Sequence, residues 1–280
     1  MNGALGNGTM KLPVAIGLAT LLTLLMTAPE ADAASVIRRG TAATPAALQA
    51  AIDSFRVDLG GVNNGVGGTF RSGRREINWD GVPDSFALPN NLPFNFFNSN
   101  SPRGVVFSTL EAGSALNQFM VSADSDNPTT TPVRFGNFNA SYATAFQTFS
   151  AERLFHLRGG DTMILTFFLP GTNIPASVSG IGVVYADVDA SANVRLICFD
   201  PDGQRLVGAS GDVQNNGLSF LGVFFNSPEE RCSRVEIRAG NVDLVGGAAD
   251  GTGGVDVIAL DDFIYGEPRS VDALLRDGFE

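Results

Sequence analysis

Residues 255–268, VDVIALDDFIYGEP, constrain the fold more than any other stretch of the chain. Side chains alternate between the two faces of a strand. One strand from Val255 to Tyr265 therefore puts Val255, Val257, Ala259, Asp261, Phe263 and Tyr265 on one face. Asp256, Ile258, Leu260, Asp262 and Ile264 fall on the other. Both faces are largely apolar, so the strand belongs in the middle of a sheet covered on both sides. Each face also carries an aspartate, Asp261 or Asp262, among apolar neighbours. A carboxylate in such a place stays ionised only beside a cation, an arginine or backbone N–H groups.

The rest of the chain keeps to the same class. Strand-like runs at 104–108, 118–122, 133–135, 162–169, 181–188, 194–199, 204–207, 218–225 and 234–238 are separated by Gly, Pro and Asn turns. The clearest turn is DPDG at 200–203. This spacing predicts an all-β fold, an antiparallel β-sandwich of jelly-roll type. Few charges (17%), 33 glycines and 21 phenylalanines suit a large sandwich with many turns. A short N-terminal helix is expected over 46–55, after an N-cap at Thr44 and proline at Pro45, with Leu48, Ile52 and Phe55 on one face. Residues 56–59 then begin the sandwich, and 60–68 (GGVNNGVGG) is a loop without the Lys-Ser/Thr of a phosphate-binding loop. The expected layout is a signal peptide at 1–34, a spacer and helix at 35–52, a β-sandwich domain at 53–268 and a polar tail at 269–280.

The signal peptide is read from Lys11, the only lysine, followed by the apolar run 12–26 and the A-x-A pattern Ala31-Asp32-Ala33. No later run is long and apolar enough to span a bilayer, so the mature protein is expected to be secreted or periplasmic and soluble. In that oxidising setting Cys198 and Cys232 read as a disulfide, closing a loop of about 35 residues worth roughly 3–4 kcal/mol. The net charge is −11, and from Asp187 onward 17 acids face 7 arginines. Nucleic acid is not an expected partner, because binding it requires a basic patch.

Five blocks together resemble a group of exported bacterial proteins of unassigned function. They are REINWDGVPD (75–84), NFFNSNSPRGVVFST (95–109), GIGVVYADVD (180–189), LSFLGVFF (218–225) and DDFIYGEP (261–268). The resemblance covers roughly residues 53–268 and implies a jelly-roll domain and export. Some members carry a PEP-CTERM sorting tail. This chain has neither an apolar span nor a basic cluster after Pro268.

The candidate chemistry is sparse. Acidic pairs with oxygen ligands suit calcium, and the candidate ligands are Asp187, Asp189, Asp261 and Asp262. Arginine or backbone donors are the alternative partners of Asp261 and Asp262. The DPDG turn is not an EF-hand, since its twelfth position is Gly211. One histidine and two cysteines do not make a zinc set. His156 lies in an apolar run, and no G-x-S-x-G accompanies it, so a Ser-His-Asp hydrolase is not indicated. Jelly rolls often bind sugars through exposed rings, which makes Trp79 and Tyr142 candidates for an extracellular glycan. The expectation is an exported protein with a structural or ligand-binding role, stabilised by calcium. A carbohydrate-binding module is the first alternative. A glycoside-cleaving enzyme using Glu76 and Asp80 is the second, set against their pairing with Arg74 or Arg75.

Overall fold

The computed structural model describes residues 1–3, 35–110, 118–227 and 230–271. Contacts divide the chain into residues 1–32 and 33–280, and every element below belongs to the second unit. Most of the expected signal peptide and most of the polar tail lie outside the described residues. In chain order the elements are β1 (Ser35–Ala42), α1 (Pro45–Asp58), β2 (Arg74–Ile77), α2 (Phe96–Ser99), β3 (Val105–Thr109) and β4 (Phe119–Val121). Then come α3 (Tyr142–Ala145), β5 (Phe155–Leu157), β6 (Thr162–Phe167), β7 (Ala176–Ser177), β8 (Gly180–Val188) and β9 (Val194–Phe199). The last are β10 (Arg205–Ser210), β11 (Gln214–Phe225), β12 (Arg234–Ala239), β13 (Ala259–Gly266) and β14 (Arg269–Ser270).

The strands form an all-β sandwich. The larger sheet runs β1-β11-β8-β13-β5-β4, with β2 also on β13, and the smaller runs β10-β9-β12-β6-β3. All these pairings are antiparallel. Alternation explains the core between the sheets. Phe107, Leu165, Leu196 and Ile237 of the smaller sheet pack against Ile181, Val183, Leu221 and Phe263 of the larger. The outer face of the larger sheet is covered as well. Leu48, Ile52 and Phe55 of α1, with Tyr142, Phe146 and Leu154, bury Val184, Ala186, Phe220 and Ile264. This second layer is why β8 and β13 are buried on both faces, as the runs 181–188 and 255–265 require. The helix sits close because Gly182 pairs with Gly222, and a Cβ on Gly182 would meet the Phe55 ring at 2.7 Å.

Several boundaries differ from those the sequence predicts. Residues 35–42, expected as a spacer, form β1 and pair with β11 along all eight residues. Arg38 and Arg39 are exposed on this edge strand, which discourages further pairing and makes it read as a linker. Residues 56–58, expected to open the sandwich, continue α1, since Leu59 N–H still donates to the Phe55 carbonyl (3.1 Å). The expected strand at 133–135 is absent, because Arg134 and Phe135 take left-handed φ values of 50° and 62°. The Cys198–Cys232 disulfide is present, with Cα atoms 5.3 Å apart. It ties β9 to the start of β12, its neighbour in the sheet.

Candidate metal centre

The end of β8 builds the site. Between the pairs Gln214–Val188 and Leu218–Ala186 the register of β11 against β8 slips, leaving Asn215, Asn216 and Gly217 opposite Asp187. The bulge bends the backbone, and Asp187 adopts φ 66°, a left-handed conformation rare outside glycine. Its side chain turns inward and is fully buried. Oδ1 accepts from the Asn216 N–H at 2.6 Å. Oδ2 is buried with no hydrogen-bond donor. Two residues on, Asp189 is half-buried and accepts from the Asn215 side-chain amide.

The third carboxylate arrives from the loop between β12 and β13. Asp250 is followed by Gly251 at φ 70°, which turns the chain back on itself. Val257 N–H donates to Asp250 Oδ1 at 2.7 Å. Asn139 Nδ2 and the Tyr142 hydroxyl bind carbonyls just before Asp250: Asn139 reaches Gly247 at 3.1 Å, and Tyr142 reaches Ala248 at 2.7 Å. Asp256 closes the loop onto β8, accepting from Ala190 N–H and Asn193 Nδ2, both at 2.9 Å. One oxygen each from Asp187, Asp189 and Asp250 thus comes within 4.8 Å of the others.

The electrostatics follow from this crowding. Burial, with Asp250 and Asp189 adding to it, pushes Asp187 up to about 7. Asp250 is raised by burial and by Asp189. Asp187 and Asp250 therefore share a proton, or the three carboxylates together hold a cation. Their donor set is all oxygen, which suits a hard ion, and Ca–O distances of about 2.3–2.6 Å fit the span between the oxygens.

Asp261 and Asp262, the second acidic pair, lie apart from Asp187 and Asp189, whose third neighbour is Asp250. The β13–β8 register jumps between the pairs Leu260–Tyr185 and Phe263–Val183, so both aspartates lie opposite Val184 in a bulge. The bulge breaks strict alternation and brings both carboxylates to one hydroxyl. Ser150 Oγ donates its one hydrogen to Asp262 at 2.7 Å and lies 3.2 Å from Asp261, and Phe149 N–H donates to Asp261 at 2.5 Å. Arg56 approaches Asp262 at 4.0 Å. Burial and the pair's mutual repulsion raise Asp261 well above the usual carboxylate range, and Asp262 rises, chiefly by burial, to about 6. A shared proton, a hydroxyl and a backbone N–H thus satisfy this pair.

The glycan candidates are also displaced. Trp79 is buried, stacked on Phe155 with centroids 3.9 Å apart, and its Nε1 donates to the Asp261 carbonyl at 2.7 Å. Tyr142 is buried beneath the Asp250 loop. Neither ring has a face for a sugar. Glu76 is bound by Arg56 and Arg74, and Asp80 accepts the Arg153 N–H. His156 is buried, Nδ1 against the Leu157 carbonyl at 2.6 Å, and burial lowers its pKa. Sequence reasoning missed Asp250. Its signal was an aspartate opening the glycine-rich run DGTGG at 250–254, far in sequence from Asp187. No family model, curated protein or solved structure matches the chain.

Proposed function

We propose that this chain is an exported, soluble β-sandwich protein with a structural or ligand-binding role, and that calcium bound by Asp187, Asp189 and Asp250 stabilises it. The observation that carries the reading is the buried Asp187 Oδ2, which has no donor and lies among two further carboxylates. A buried acceptor without a partner costs about 1–3 kcal/mol, and a divalent cation removes that cost along with the carboxylate repulsion. The ion would join the end of β8 to the β12–β13 loop. Export is supported by the A-x-A-terminated apolar run and by the disulfide. No helix among the described residues is long and apolar enough to cross a membrane. Thermal melting with calcium and with chelator tests the proposal. At a calcium concentration about a hundredfold above Kd, stabilisation of roughly 2.7 kcal/mol is expected, a shift of about 5–10 °C for a domain of this size. Chelator should reverse it. An identical melting temperature in millimolar calcium and in chelator contradicts the reading.

A further inference from the structure

A second site lies away from the acidic cluster, beside the disulfide. Cys232 is held by Cys198 and by a bridge to Val178, and this anchoring carries its neighbour Arg231 inward. Arg231 is 7% exposed. Its Nη2 donates to the carbonyls of Ser177 (2.9 Å) and Glu267 (3.0 Å), and Nε to the Ser177 hydroxyl (3.3 Å). All three acceptors are neutral. Among the described residues no carboxylate pairs with it. The acids nearby are engaged: Glu267 takes two bonds of 2.7 Å from Arg75, and Asp58 takes bonds of 2.7 and 3.0 Å from Arg38. Burial, with Arg269 adding to it, pushes the Arg231 guanidinium down to about 10. A buried cation without a counter-charge is costly, and these three bonds use Nε–H and both Nη2 hydrogens, so the two N–H groups of Nη1 are the ones left to take an oxyanion's oxygen.

There is room for one. Arg231 lines a cavity of about 190 Å³ with Arg71, Arg269, Ser179 and the two arginine-bound acids Asp58 and Glu267. Arg71 and Arg269 also line a neighbouring hollow of about 340 Å³, walled by Phe70 and Leu169. Phe70 is 48% exposed, and its ring is steadied by the Arg75 guanidinium 5.4 Å from its centroid.

We propose that this cavity is an anion site in which Arg231 and Arg71 hold the carboxylate of an acidic sugar, whose ring lies in the neighbouring hollow against Phe70. The inference does not depend on the calcium site. Titration of the intact protein in calcium-containing buffer with glucuronate, glucose and inorganic sulfate tests it. Saturable binding of glucuronate, and none of glucose, is expected. Arg71 is exposed, so Arg71→Gln should keep the melting temperature while weakening glucuronate binding at least about tenfold. Arg231→Gln should abolish binding, with the melting curve reporting whether that variant folds. Sulfate binding as tight as glucuronate binding overturns the sugar assignment and leaves an oxyanion site. Absence of saturable binding by either anion, or glucuronate binding unchanged in Arg71→Gln, overturns the site itself.

Discussion

Aspartate side chains in this protein are set apart by what their backbones do. Asp187 sits in a left-handed kink and ends with one oxygen unpartnered, whereas Asp261 and Asp262 sit in a bulge that supplies them with Ser150 and Phe149. The second pair makes a prediction about pH. Asp262 is raised to about 6, and its unfolded value is about 4. The folded state therefore binds this proton more tightly. The contribution is fully present below about pH 4 and is lost as pH rises through about 6. Asp262→Asn removes that loss. Melting curves in chelator should show the variant gaining stability relative to the parent as pH rises from 5 to 8, by about 1.4 kcal/mol. A constant difference across that range would contradict the assignment. The demand of Asp261 and Asp262 for partners was legible from their apolar neighbours. The nature of those partners was not, because residues 149 and 150 stand more than a hundred positions away.

At the scale of elements, legibility followed burial. β8, β13 and the 218–225 part of β11 are covered on both faces, so they appear in the sequence as largely apolar runs. β1 lies at an edge with arginines exposed, and an edge strand of that composition has the pattern of a linker. Alternation failed at Asp187 and at Asp261–Asp262, where register shifts interrupt the ladder. Bulges re-aim side chains and leave no periodic trace. The helix was legible from Leu48, Ile52 and Phe55, and the structure adds what it covers. Phe55 packs edge-on against Phe220, centroids 5.3 Å apart, over Gly182 and Gly222. Phe55→Ala should destabilise the fold by about 3–5 kcal/mol in denaturant unfolding, because the glycines beneath it have no side chains to fill the space. A loss under about 1 kcal/mol would mean that α1 contributes little to the sandwich.

At the scale of the whole molecule, the sandwich has an inner core between its sheets and an outer core under α1 and α3, and the larger sheet serves both. The acidic cluster joins that shared sheet to the β12–β13 loop, and the Tyr142 hydroxyl steadies the loop from the outer core. All-β class, disulfide and two of the three cluster aspartates could be read from the sequence. Asp250 could not, since only the folded loop brings it to Asp187. Calorimetric titration of calcium into chelator-stripped protein tests the central claim most directly. The account predicts one saturable site, lost in Asp187→Asn and in Asp250→Asn and retained in Asp262→Asn. No binding in the parent protein, or binding that survives Asp187→Asn and disappears in Asp262→Asn, would contradict it.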